Sequence, residues 1–324
     1  MVKTKGRDGG RGKKDNRGRD GAAPAPDCRE ATAMAAQMPQ LAGRGLEAPR
    51  FHSTRWHVHQ RFTAEDDPDR TRLPWRPPKF VSYTDPASQK AVAEELRLPK
   101  DLDAVPGYGQ SFARVVRNVL SAAHCAELIA SANVKGFTPA LLNIGGGRQQ
   151  LVPGARDGHR VIVDNLELAD WLLGVFLPFL PKELEDGSRL SEMNERLRFL
   201  CYTPGQEFPA HRDACFERWE GHPHAGDFSF VTVQLYLHDV PRANGGATTF
   251  VMAGRPSHQP EAGSVLLFTQ DLLHEGSLVE RGIKYTLRTE VMHSRPGAKV
   301  PLRTGRSAPQ AAADGGEAEA GTAA

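Results

Sequence analysis

No window of this chain approaches the roughly 18 uncharged apolar residues of a membrane span, and its N-terminus has no apolar stretch that could serve as a signal-peptide core. A membrane-embedded or secreted protein is therefore not expected, and the expected location is the cytoplasm or the nucleus. Cysteine is scarce: Cys28, Cys125, Cys201 and Cys215 show no CxxC spacing, which excludes a disulfide framework and reads as reduced thiols. Charge of one sign is also lacking, since the formal net charge is only +2. The whole molecule is thus no electrostatic glove for nucleic acid, and none is expected as a partner of the folded part. Apolar residues make up 39%, low for a wholly globular chain.

The shortfall is concentrated at the ends. The first twenty residues carry eight Lys/Arg and three Asp, and an Ala/Pro-rich stretch follows to about residue 50. Such a segment cannot bury enough apolar surface to offset chain entropy, so 1–50 is expected to be a disordered tail. A nuclear address in the run Lys3–Arg19 is the functional alternative to a solvated tail. Residues 51–108 contain Trp56, Phe62, Trp75, Phe80 and Tyr83, but Pro74, Pro77, Pro78 and Pro86 interrupt any long element. This stretch is expected to be an extended arm on the domain surface. The folded domain is expected over 109–297, its strand-rich core over about 196–294, and 298–324 as a second disordered tail.

Within the domain the hydrophobic period changes once. After the cap candidate Ser121, Cys125, Leu128, Ile129 and Ala132 recur at helical spacing, and Gly136 can end that helix. Leu168, Trp171, Leu172, Val175, Phe176 and Phe179 form a second, stronger stripe closed by Pro178 and Pro181, read as core packing against a sheet. From Arg196 onward strands are expected at 197–202, 228–237, 248–252, 264–269, 276–279 and 283–292, separated by Gly/Pro turns such as Asn244-Gly245-Gly246. The fold class expected is mainly β with supporting helices (α+β), a sandwich or jelly roll.

Of the twelve histidines, only His211 is followed two residues later by a carboxylate, in His211-Arg212-Asp213. On a strand such a spacing puts both side chains on one face. His274 arrives 61 residues after the Asp and completes two imidazoles and one carboxylate. That set leaves positions open on Fe(II) for a co-substrate and O₂, the arrangement of an oxygenase. The pairs His57/His59 and His222/His224 have the i, i+2 spacing without a carboxylate and read as surface histidines. Lys284 lies ten residues beyond His274, sharing a strand face with Thr286, Arg288 and Glu290, while Ile283, Tyr285, Leu287 and Val291 alternate onto the other. A cationic front on an apolar back suits an interior that binds a carboxylate. Tyr202, nine residues before His211, can reach the same cavity. The loop from Asp213 to Phe228, with Cys215, Phe216, Trp219, His222 and His224, reads equally as a lid or as a surface connection.

The segments RFLCYTPGQEFPAHRD, VTVQLYL, GGATTF, GSVLLF and HEGSLVERGIKYTLRTEVM resemble, in that order, the 2-oxoglutarate and Fe(II)-dependent oxygenases, most closely the prolyl 4-hydroxylase-like branch. The helical lead-in LSAAHCAELIASANVKGFTPA resembles it more weakly. The resemblance implies a double-stranded β-helix with supporting helices. It implies His211, Asp213 and His274 as metal ligands, Lys284 on the distal carboxylate of 2-oxoglutarate, and Tyr202, Thr286 and Thr232 as hydroxyls of that pocket. Arg288 is a rival anchor, because some branches use Arg on this strand. It further implies hydroxylation of a peptide or small molecule, a prolyl residue included, with release of succinate and CO₂, and ascorbate as a candidate reductant. The rivals are a jelly roll kept as a non-catalytic binding module and a cupin-like enzyme with another metal. Glu290 departs from the Asp common in related sequences. The oligomeric state is left open.

Overall fold

The computed structural model describes residues 61–62, 75–78, 91–98, 111–143, 149–152 and 157–298. Both tails, Cys28, His57 and His59 lie outside the described residues. In chain order come β1 (Val92–Glu95), β2 (Ala113–Arg117), α1 (Ala122–Lys135), the short β3 (Thr138–Pro139), β4 (His159–Asp164), α2 (Leu166–Phe176), β5 (Arg189–Met193) and β6 (Arg196–Tyr202). Strands and short connections follow: β7 (Phe208–His211), β8 (Phe228–Tyr236), β9 (Thr248–Phe250), β10 (Ser257–His258), β11 (Val265–Thr269), β12 (His274–Gly276) and β13 (Lys284–Ser294).

Helix α1 forms where the sequence supplies both ends. The Ser121 hydroxyl accepts from the His124 amide, and Gly136, at φ +84°, donates its amide to the Ala132 carbonyl. It buries Cys125, Leu128, Ile129 and Ala132. Helix α2 is capped by Asn165, whose side chain accepts from the Leu168 amide at 2.7 Å. Its buried residues are Leu168, Ala169, Leu172, Leu173 and Phe176, and Trp171, Val175 and Phe179 pack half-buried against the same cluster. Pro178, with no amide to donate, turns its end into a short 3₁₀ segment.

Two antiparallel sheets carry the rest. The larger has the order β1-β2-β11-β8-β13-β6-β4-β3, with β5 also pairing β13, and the smaller runs β7-β12-β9-β10. From β7 onward the chain alternates between them: β7, β9, β10 and β12 lie in the small sheet, β8, β11 and β13 in the large one. That alternation is the double-stranded β-helix. Period-2 patterning divides the large sheet's faces. Leu197, Phe199 and Cys201 of β6 and Tyr285, Leu287 and Val291 of β13 join the helices in one buried cluster. Truncating one such ring, as in Phe199→Ala, costs roughly 3–5 kcal/mol. Arg196, Arg198, Tyr202, Lys284 and Arg288 line the cavity on the other face.

Strand β1 adds an edge to the large sheet from within the arm expected over 51–108, and Trp75 of that arm packs on Phe199 with ring centroids 5.4 Å apart. Arg61–Phe62 pairs with Gln149–Gln150 in a separate three-stranded sheet. The strand expected over 276–279 lies instead at His274–Gly276. Strand β7, presupposed by the His211/Asp213 spacing, shows no alternation of its own because Pro209 interrupts it; at the edge of the small sheet the missing proline amide costs no ladder bond. No helix among the described residues is long and apolar enough to cross a membrane.

Candidate metal centre and its cavity

His211 and His274 are direct cross-strand partners in the β7–β12 pair, so sheet register alone brings the rings to 4.4 Å between centroids. Strand β7 ends at His211, and Asp213 lies in the connection that follows, not on the strand expected to carry both. The carboxylate swings back nonetheless. His211 Nε2 is 3.6 Å from Asp213 Oδ1, and His274 Nε2 is 3.9 Å from Oδ2. One ligand atom of each residue lies within 4.8 Å of the others, so the group could hold a metal ion.

Both imidazoles are oriented by the same local device. His211 Nδ1 bonds the Pro209 carbonyl at 2.8 Å, and His274 Nδ1 bonds the Leu272 carbonyl at 2.9 Å. With the proton on Nδ1, the Nε2 lone pairs face Asp213, as metal ligation requires. Burial lowers the His274 pKa to about 4, so its ring is neutral at pH 7. Phe208 stacks on His211 at 3.6 Å and Phe268 meets His274 edge-on at 4.6 Å, shielding both rings with apolar surface.

Asp213 is held from behind. Arg288 reaches Oδ1 at 2.8 Å, and the Thr232 hydroxyl donates to Oδ2 at 2.6 Å. Burial would raise its pKa, but Arg288, His211, His274 and Thr232 outweigh it and keep the carboxyl well below its ordinary range. Arg288 in turn meets Glu290 at 3.2 Å, and Glu290 accepts two bonds from Arg198, at 2.9 and 3.0 Å. Thr232 and Arg288, expected among the co-substrate's contacts, thus have their polar groups engaged by the aspartate.

Lys284 has no such neighbour. It is 3% exposed, and among the described residues no carboxylate lies within ion-pair distance. Burial lowers its pKa to about 7. The Tyr202 ring lies 5.6 Å from the ammonium, placed by direct pairing of Lys284 with Tyr202 across β13 and β6. Gly158, at φ +110°, makes room for that ring: a Cβ there would stand 2.8 Å from Tyr202 Cε1. Two residues along β13, the Thr286 hydroxyl is buried without a hydrogen-bond partner. A buried ammonium and an orphaned hydroxyl on one strand fit an incoming carboxylate, so the donor set suits both an iron and a 2-oxoacid.

The cavity lined by His211, Asp213, His274, Tyr202, Lys284 and Arg288 has a volume of about 740 Å³. Cys215 and Phe216 of the 213–228 loop line it, while Trp219 is exposed. Reading His224 as a surface residue was wrong: it is buried, 3.3 Å from Asp227 and 3.7 Å from Glu192. The missed cavity residues include Arg160 and Arg198; the alternation of Arg196 and Arg198 with Leu197 and Phe199 was the available signal for the latter.

Residues 197–289 match the family model of the 2OG-Fe(II) oxygenase superfamily, a span that includes every site residue expected from the sequence. A search of curated proteins finds no match. Among solved structures the chain is similar to a viral collagen prolyl hydroxylase from Paramecium Bursaria Chlorella virus-1, at 21% identity over 53% of this chain and 91% of that one, TM-score 0.38. It is also similar to a Pseudomonas putida prolyl-4-hydroxylase, at 21% identity over 54% and 84%, TM-score 0.33. A Trichoplax adhaerens prolyl hydroxylase, solved with a hypoxia inducible factor peptide fragment, matches at 15% identity over 48% and 70%, TM-score 0.37. The family match and the alternating strand order fall on the same segment, and residues 197–289 are similar to the 2OG-Fe(II) oxygenase superfamily.

Proposed function

We propose that this chain hydroxylates an acceptor carbon, a prolyl residue of a peptide or protein in the first instance, while converting 2-oxoglutarate and O₂ to succinate and CO₂. The catalytic unit so proposed spans 109–297, with β1 added from the arm. The observation that carries the reading is Lys284, a buried ammonium without a carboxylate partner among the described residues, beside a complete His-Asp-His group. A binding-only jelly roll, or a metal enzyme without a 2-oxoacid, leaves that desolvated charge without a role. The order of motifs shared with the prolyl 4-hydroxylase-like branch supports the prolyl acceptor.

Fe(II), when bound with 2-oxoglutarate and O₂, supplies the oxidising chemistry of the hydroxylation. The protein's part is positional. His211 and His274 offer Nε2 and Asp213 offers a carboxylate oxygen, while Arg288 and Thr232 keep that carboxylate ionised and aimed. Lys284 donates to the far carboxylate of the co-substrate, and Thr286 donates its orphaned hydroxyl to the same group, with Tyr202 beside them. Phe208 and Phe268 keep water from the imidazoles. Ascorbate is proposed as an accompanying reductant. The test is succinate release by iron-loaded protein, screened over proline-containing peptides, free amino acids and small metabolites. His211→Ala is expected to abolish it together with metal binding; undiminished turnover in that variant removes the assignment.

A further inference from the structure

The contacts behind the metal ligands run further than holding one aspartate requires. Asp213 meets Arg288 at 2.8 Å, Arg288 meets Glu290 at 3.2 Å, and Glu290 accepts two bonds from Arg198 at 2.9 and 3.0 Å. Arg288 and Arg198 are direct cross-strand partners in the β13–β6 pair, a placement in which like charges repel. Glu290 follows Arg288 on the same face of β13 and sets one carboxylate between the two guanidiniums.

That carboxylate is 2% exposed and held from further sides. The Asn194 side chain donates to it at 3.2 Å, and the Asn194 amide donates to the Glu290 carbonyl at 2.8 Å. Thr232, whose hydroxyl is the other donor to Asp213, lies directly opposite Glu290 in the β8–β13 pair. Both donors that aim Asp213 are therefore neighbours of Glu290, although Glu290 itself does not touch the ligand.

The charges along this chain balance before any metal arrives, two guanidiniums against two carboxylates. An aspartate already paired with a guanidinium offers a dication little net attraction, and the guanidinium repels the ion. Glu290 offsets that repulsion from the far side of Arg288. Without its charge, Arg198 and Arg288 face Asp213 alone, in an interior where water screens them weakly.

We infer that Glu290 is a positioning residue of the metal centre: by neutralising Arg198 and Arg288 it lets a divalent ion bind at an aspartate that a guanidinium already holds. The inference rests on the metal reading of His211, Asp213 and His274.

The test is Mn(II) affinity of the full chain by calorimetry, with a melting curve on each preparation. Glu290→Gln keeps the shape and removes the charge, and is expected to weaken Mn(II) binding at least about tenfold. Glu290→Asp keeps the charge and shortens the reach, and is expected to stay within about threefold of the parent. Arg198→Met removes a cation and is expected to tighten binding about threefold, while Arg198→Met combined with Glu290→Gln returns it to near the parent value. Glu290→Gln and Arg198→Met each break the same buried pair, so both lower the melting midpoint. A merely structural pair would move metal affinity in one direction for both; opposite directions report charge. Unchanged affinity in Glu290→Gln, equal weakening in Glu290→Asp, or unchanged or weaker binding in Arg198→Met each overturns the inference. If Glu290→Gln does not fold, the sign of the Arg198→Met change decides alone. Absence of Mn(II) binding in the parent overturns the metal reading and the inference with it, whereas a binding parent with unaltered variants overturns the inference only.

Discussion

Two buried polar clusters lie within this domain, and they are built to opposite rules. One gathers Arg218, Glu192, Glu195, His224, Asp227 and Ser294. Arg218 Nε and Nη2 both donate to Glu192, at 2.9 and 2.6 Å, and Nη1 donates to Glu195 at 2.8 Å. His224 lies between Glu192 and Asp227, and the Ser294 hydroxyl donates to Asp227 at 2.7 Å. The other cluster gathers His211, Asp213, His274, Lys284 and Thr286. Here two imidazole lone pairs face a carboxylate, and among the described residues an ammonium lacks an anion and a hydroxyl lacks any partner. Both contain histidines and carboxylates at short spacing. The first is closed, each carboxylate meeting a guanidinium, an imidazole or a hydroxyl, and it fixes the 213–228 loop to β5 and the end of β13. The second is open: His211, Asp213, His274 and Lys284 line one cavity, and Thr286 follows Lys284 two residues along the same strand. Buried polarity that is complete holds a fold together; buried polarity that is incomplete awaits a ligand.

The sharpest way to break this contrast is to open the closed cluster. Arg218→Ala strands two carboxylates, one of them Glu192 at 2% side-chain exposure. Losing one partner of a buried pair costs about 3–5 kcal/mol, which lowers the thermal midpoint by roughly 6–20 °C in a domain of this size. Affinity for 2-oxoglutarate per folded molecule is expected to stay within about twofold of the parent. A large loss of affinity at unchanged stability would make the cluster part of the site.

The complementary change is Lys284→Met in the open cluster. It removes the only proposed charge partner of the co-substrate, so 2-oxoglutarate affinity is expected to fall at least about 100-fold, the scale of one shielded charge-assisted hydrogen bond. Stability should move the other way, because a desolvated cation without a carboxylate is gone; a rise of roughly 2–4 °C corresponds to about 1 kcal/mol. Calorimetry and a melting curve on one preparation check both signs. If affinity survives and stability drops, Lys284 is a structural residue.

How much of this contrast is written in the sequence depends on how far apart its parts lie. His211-Arg212-Asp213 with His274 and Lys284 was legible because residue type and spacing carry the chemistry. Strands β6, β8, β11 and β13 were legible from their alternation. Strand β7 was not, since Pro209 and four residues give no period. The orientation of Arg288 was equally hidden. Strand periodicity puts it on the Lys284 face, but only the register of β13 against β6 and the return of the chain after β7 put Asp213 in front of it. His224 misled for the same reason. Flanked by Pro223 and Ala225 it reads as a loop residue, and its burial is imposed by Glu192, a strand away in space and 32 residues away in sequence.

The open cluster should also announce itself by pH. The free Lys284 pKa of about 7 means the ammonium is fully present below that value and lost above it. A bound dicarboxylate favours the ammonium, so binding takes up a proton when pH exceeds about 7. Affinity for 2-oxoglutarate is therefore expected to fall roughly tenfold between pH 7 and pH 8.5, with net proton uptake visible as a buffer-dependent enthalpy. In Lys284→Met that slope should vanish. A pH-independent affinity in the parent would mean that another group anchors the carboxylate.

The smallest effect belongs to Thr286. Its Oγ1 is buried and unbonded while the domain waits for a ligand, and an unsatisfied buried hydroxyl costs about 1–3 kcal/mol. Replacing it with the near-isosteric valine removes that cost from the ligand-free protein and removes the compensating bond from the complex. Thr286→Val is thus expected to raise the thermal midpoint of the ligand-free protein by roughly 2–4 °C and to weaken 2-oxoglutarate binding by about three- to tenfold. The two changes share one origin, since the hydroxyl is paired only when the co-substrate is present. Saturating 2-oxoglutarate should therefore erase the stability advantage of the valine variant, whereas a hydroxyl serving only the protein's own packing would leave the two melting curves equally spaced with and without ligand.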